Sequence, residues 1–165
     1  MDQPIHHRHT PSRANSSILL WWNFLFAEKQ LFDHYTNTAT CYVCGCMLKF
    51  PTQYSRKMPV YAYSCGLGTM TLSLMLLRTL SEKTALSTHI VLVLVALFGI
   101  LIYLLTLKMN KAYLLCTNEW TELSTHASEN SMQILHEEAV ADNRRIRHAG
   151  LSGLAAAAII IRLFI

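Results

Sequence analysis

The sequence predicts an all-α membrane protein: a transmembrane helical hairpin followed by a third C-terminal span, with an interfacial N-terminal helix and a helical extramembrane segment. Three observations predict it. Residues 90–107 (IVLVLVALFGILIYLLTL) carry no charge, and fourteen of the eighteen side chains are Leu, Ile, Val or Phe. As a helix this run reaches about 27 Å, close to the roughly 30 Å of a bilayer's hydrocarbon core. It has no solvated face, and a chain of 165 residues is too small to wrap it completely. Residues 59–77 form a second stretch of nineteen without a charge. Charged residues make up 15% of the chain, against about 25% in an average soluble protein.

The N-terminal arm, residues 1–17, is polar, holds Pro4 and Pro11, and reads as extended. Its Arg8, Arg13 and serines, with one acid, resemble an organelle transit peptide in composition; it is read as part of the mature chain. His6, His7 and His9 read as side chains of an exposed arm. Residues 18–32 are rich in Leu, Trp and Phe but are interrupted by Glu28 and Lys29, too early to span. Trp21 and Trp22 suit the headgroup level, so this segment is expected to lie on the membrane surface or against a partner. Residues 33–58 read as a loop that holds three cysteines and Pro51.

Pro59 is placed in the first turn of the first span, where helices tolerate proline. Within that span Ser64 and Gly68, four residues apart, are expected to let another helix approach closely. Residues 78–89 form a polar connection, and Ser87 or Thr88 caps the second span. Residues 112–148 lack Pro and Gly and read as mostly helical, with Cys116, Trp120, Leu123 and Ala127 on one modest apolar face. Residues 149–165 are apolar except for Arg162, which is expected to snorkel to the far interface. Ala149, Gly153 and Ala157 repeat every four residues, a ladder that favours tight helix contact. The organisation is thus 1–58 (arm, interfacial helix and cysteine loop), 59–107 (hairpin), 108–148 (extramembrane segment) and 149–165 (third span).

With three spans, Lys49, Arg56, Lys57, Lys108, Lys111, Arg144, Arg145 and Arg147 share one side, while the connection opposite holds Arg78 and Lys83. The positive-inside tendency puts the N-terminus and the 108–148 segment in the cytosol or matrix. A net charge of +4 fits a position near lipid headgroups. Basic and aromatic residues are not interleaved, so nucleic acid is not an expected partner.

The strongest chemical cluster is His34 with Cys41, Cys44 and Cys46. Thiolates and imidazole in that number suit tetrahedral zinc, and Gly45 would let the backbone fold round the ion. A second ligand pair is missing, so no metal site is expected: three unbound thiols, or one disulfide with a spare thiol, are the simpler readings. His136 lacks the second histidine of a zinc-protease helix, and no phosphate loop, nucleophile elbow or dinucleotide fingerprint occurs. No enzyme activity and no cofactor are expected, a bound structural lipid apart.

The expected function is a non-catalytic accessory or scaffolding subunit of a larger multi-subunit membrane complex. The expected partners are other membrane subunits and the bilayer. The favoured setting is the mitochondrial inner membrane and its respiratory-chain complexes. The alternatives are a small homo-oligomeric channel or transporter, or a stand-alone endomembrane or viral membrane adaptor.

Overall fold

A computed structural model describes residues 8–13, 16–83, 88–123 and 129–164, the side chains at 81–83, 88, 129 and 161–164 excepted. The expectations placed on His6, His7, Ser87, Ala127 and the side chains of Lys83, Thr88 and Arg162 fall outside the described residues. The elements are α1 (Ser17–Phe26), α2 (Glu28–Leu31), β1 (Phe32–Asp33), β2 (Thr38–Thr40), β3 (Met47–Lys49), α3 (Thr52–Lys83), α4 (Thr88–Thr117), β4 (Thr121–Glu122) and α5 (Glu129–Phe164). They form two compact units. Unit 1 comprises Met1–Ser55 and Lys111–Asn143; unit 2 comprises Arg56–Asn110 and Arg144–Ile165.

The chain is mostly helical, but unit 1 corrects the all-α expectation. It contains a four-stranded antiparallel sheet in the order β1-β2-β3-β4. Strands of two or three residues are too short to show the alternation by which strands are read from sequence. Local chemistry sets the first turn instead. Asp33 accepts from the Tyr35 amide (2.9 Å) and the Thr36 hydroxyl (2.8 Å), and Asn37 takes a positive φ of 51° before β2 begins. Residues 112–148 are likewise not one helical segment. α4 ends at Thr117, β4 follows and pairs with β3, and α5 starts at Glu129.

The core of unit 1 is aromatic. Trp120 stacks on Phe32 (centroids 5.8 Å apart, planes 6° apart) and meets Phe50 edge-on at 5.5 Å; Phe24 lies 5.2 Å from Phe32 and Tyr54 5.1 Å from Phe50. The indole N–H donates to the Leu115 carbonyl at 3.2 Å, so the buried tryptophan keeps no unpaired donor. Leu48, Leu114 and Leu115 close the core beside it. Glu28 pairs with Lys111, Lys49 with Glu138, and Ser55 donates to Asp142. These contacts tie α2, β3 and the start of α3 to chain more than eighty residues later.

α1 is capped by Ser16, whose hydroxyl accepts from the Leu19 amide. It buries Phe24 and Leu25 and leaves Ile18, Leu19, Trp22 and Phe26 exposed. α3 begins at Thr52, so Pro59 lies inside the helix rather than in its first turn. The proline removes one N–H, the donor to the Ser55 carbonyl, and the helix continues past it.

Among the described residues, two helices are long and apolar enough to cross a membrane: α3 over Thr52–Leu80 and α4 over His89–Thr117. The most apolar stretch of α4 is 11% buried, which separates it from the core helix of a soluble protein. Val91 and Val95 are buried, whereas Leu92, Val93, Leu97, Phe98, Leu101 and Leu105 face outward.

Within unit 2, glycines set the helix approaches. A Cβ at Gly153 of α5 would collide with the Tyr63 carbonyl oxygen of α3, and one at Gly66 would lie 2.5 Å from the Gly150 carbonyl oxygen. Ile146, Gly150, Gly153 and Ala157 form the buried stripe of α5; Met58, Ala62, Gly66 and Thr69 form that of α3. Ala149 is half-buried beside its stripe, while Ser64 and Gly68 are exposed, and nothing lies within 4 Å of a Cβ at Gly68. Two residues turn a helix by about 200°, so Ser64 and Gly68 stand opposite Ala62 and Gly66.

Gly153→Ala should therefore destabilise the protein by about 1–3 kcal/mol, because the new methyl meets rigid backbone. Gly68→Ala should leave stability unchanged or raise it by up to about 1 kcal/mol through helix propensity. Thermal unfolding of both variants in mild detergent checks the contrast; equal effects would show that α5 does not dock through Gly153.

Candidate metal centre

The β2–β3 hairpin brings three cysteines together for a local reason. Thr38, Ala39 and Thr40 pair with Lys49, Leu48 and Met47, so Cys41 and Cys46 face each other where the strands end. The Cys41 amide donates to the Cys46 carbonyl at 2.8 Å, and the Gly45 amide to the Cys41 carbonyl at 3.0 Å. Gly45 adopts φ +72°, a backbone state that side-chain-bearing residues rarely take, and this reverses the chain between Cys44 and Cys46.

The fourth group comes from the N-terminal arm. The Tyr42 amide donates to the Thr10 carbonyl at 2.9 Å, the Arg13 guanidinium lies over the Tyr42 ring at 4.4 Å, and Asn23 of α1 donates to the buried Ser12 hydroxyl at 2.9 Å. So fastened, the arm places His9 Nδ1 3.5 Å from Cys46 Sγ and 3.8 Å from Cys44 Sγ. One ligand atom from each of His9, Cys41, Cys44 and Cys46 lies within 4.8 Å of all the others. The other imidazole nitrogen, Nε2, stands 3.5 Å from Glu122 Oε2 on β4.

Electrostatics differ sharply among the thiols. Cys41 is buried, which alone would raise its pKa. Hydrogen bonds from the Cys44, Val43 and Thr10 amides and from His9 outweigh that burial and bring the thiol down to about 5. Cys46 moves the other way, to about 12, through burial, its hydrogen bond with Cys44 and the neighbouring negative charges of Cys44 and Glu122. The Cys44 and Cys46 sulfurs are 2.8 Å apart, longer than the roughly 2.05 Å of a disulfide bond, and none of the five cysteines forms a disulfide. His9 is raised above 6.5 chiefly by its hydrogen bond to Cys41. Chemically, the cluster can hold a soft divalent cation or, under oxidation, join two of its thiols.

His34 is not part of this cluster, which corrects the sequence-based ligand set. Its Nε2 lies 3.7 Å from Glu28 Oε1, at the Glu28–Lys111 pair, and its ring lies 6.2 Å from Phe32. His9 stands in its place beside the three cysteines, with the Glu122 carboxylate next to its ring. Neither was legible beforehand: no spacing rule links residue 9 to residue 41, and Glu122 reaches the site through a strand of two residues. Ser64 and Gly68 lie on α3 and Ala149, Gly153 and Ala157 on α5, all within unit 2. No known protein family, curated protein or solved structure matches the chain.

Burial, reinforced by the Lys111 ammonium, holds the His34 imidazole below its ordinary 6.5. The unfolded chain therefore takes up this proton first as pH falls below about 6.5, and folding stability drops until the folded imidazole also titrates. His34→Asn should flatten that part of the profile. Denaturant unfolding of wild type and variant at about pH 7.5 and about pH 5.5 checks it, and parallel profiles would refute it.

Proposed function

We propose that this protein is a non-catalytic integral-membrane subunit, anchored by α3 and α4 and carrying unit 1 as an extramembrane module that meets partner subunits. The observation that carries the reading is the outward-facing apolar surface of α4, 11% buried along its most apolar stretch. Exposed Leu, Val, Ile and Phe on this scale would be held out of water only by lipid or by other subunits.

Chain connectivity supports a hairpin. The chain leaves unit 1 at Arg56 and rejoins it at Lys111, and a stretch that starts and ends in one folded unit crosses a bilayer an even number of times. Its ends carry Arg56, Lys57 and Lys108, as a cytosolic or matrix side would. The third crossing is assigned to the C-terminal part of α5, which leaves unit 1 after Asn143 and packs its small residues on α3. The exposed side chains Ile18, Leu19, Trp22 and Phe26 give α1 a surface for the membrane interface.

The partner-subunit reading adds a second small-residue face. Ser64 and Gly68 are exposed on the side of α3 that α5 does not cover, and small residues at that spacing admit a further helix. Five cysteines with no disulfide among them suit the cytosol or a matrix-like compartment, where thiols stay reduced. The mitochondrial inner membrane is the setting we favour, on this ground and on the composition of the N-terminal arm.

A tagged full-length chain should resist alkaline carbonate extraction and, in mild detergent, co-migrate with a larger complex. Gly68→Leu should shift it to a smaller species without unfolding it. Migration as a homo-oligomer would favour the channel reading instead. A lone monomer would favour the adaptor, and release by carbonate would remove the membrane anchor altogether.

A further inference from the structure

We propose that His9, Cys41, Cys44 and Cys46 are the four ligands of a structural zinc ion that fastens the N-terminal arm to the β2–β3 hairpin, with Glu122 orienting the histidine. The geometry comes first. A tetrahedral site with zinc–sulfur bonds of about 2.3 Å and a zinc–nitrogen bond of about 2.0 Å separates its ligand atoms by roughly 3.5–3.8 Å. Here every pair of ligand atoms lies within 4.8 Å, and the two His9–sulfur distances are 3.5 and 3.8 Å. The Cys44 and Cys46 sulfurs, 2.8 Å apart, would have to part by about 1 Å on binding.

The donor chemistry selects the metal. Three thiolates and one imidazole form a soft, four-coordinate set that suits zinc; calcium and magnesium need several oxygens, which this set lacks. Cys41-x-x-Cys44 has ligand spacing usual for zinc, and the remaining ligands come from Cys46 and from a residue thirty-two positions before Cys41. With four protein ligands no position stays open for water or substrate, so the site holds structure rather than performing hydrolysis. On binding, the thiol protons leave to solvent and no electron is transferred.

The second observation lies in the outer shell. A ligating histidine commonly donates its other ring N–H to a carboxylate, which fixes the tautomer and the ring orientation. Glu122 Oε2 stands 3.5 Å from His9 Nε2, on the side of the ring away from the sulfurs. β4 holds that carboxylate in register by pairing Glu122 with Leu48. The ion would thereby join three segments that are distant in sequence: the arm, the hairpin and the strand after α4.

The experiment is elemental analysis of the full-length protein, purified in mild detergent without chelator and reloaded with Zn²⁺ alone. One zinc per chain is expected. Cys44→Ser and His9→Ala should lower occupancy at least tenfold, His9→Cys should restore it, and His34→Ala and Cys116→Ser should leave it unchanged. Glu122→Ala should weaken affinity about 10–100-fold while keeping the stoichiometry. Co²⁺ in place of Zn²⁺ should give the strong visible bands of a tetrahedral thiolate site. Mass spectrometry should show Cys41, Cys44 and Cys46 protected from alkylation until a chelator is added. Metal-free protein that does not take up Zn²⁺, a Cys44–Cys46 disulfide in protein kept anaerobic, iron in zinc's place, or full zinc in His9→Ala would each overturn the proposal.

Discussion

Unit 1 depends on the burial of Trp120. This side chain follows α4, packs against both Phe32 and Phe50, which also meet each other, and satisfies its N–H on Leu115. Aromatic pairs contribute about 0.5–1.5 kcal/mol each beyond the area they bury, and Trp120 makes such contacts with residues from three separate stretches of chain. Its position dictates that of the next two residues, which pair with β3 as β4. The same anchor therefore closes the sheet and delivers Glu122 to His9.

The metal-ligand cluster shows how local and distant order combine. The hairpin register and Gly45 bring Cys41, Cys44 and Cys46 together. The fourth ligand needs the arm to be held in place, and that work is spread over Thr10, Ser12 and Arg13, each with a contact of its own. An arm with so little apolar surface gains little from burial. Polar contacts and, in our proposal, a metal ion supply the fastening.

Unit 2 follows a different logic. Its outer surface is apolar, so hydrophobicity does not distinguish a packed face from an outward-facing one. Close approach does. A side chain at Gly66 or Gly153 would strike the neighbouring backbone, and one at Gly150 the Tyr103 hydroxyl; in the membrane reading we propose, dispersion contacts along that seam replace the burial that drives soluble helices together. Gly68, two residues from Gly66, looks equivalent in a list of small residues but faces away.

By itself the sequence determined what depends on composition and length. It marked the two long apolar helices, because an uncharged stretch of bilayer length has few alternatives, and it singled out the cysteine cluster, because the spacing is local. It also marked Gly153 and Ala157 as small residues at helix-contact spacing. Tertiary structure decided the rest. The sheet was illegible because its strands, two or three residues long, are shorter than the run of roughly four to eight residues over which alternation shows. Helical phase between neighbouring elements is a property of packing, so Gly66 rather than Gly68 faces α5. The place of His9 rather than His34 beside the three cysteines turned on how a polar arm docks. That depends on scattered hydrogen bonds and one cation–ring contact, which leave no periodic trace in the chain.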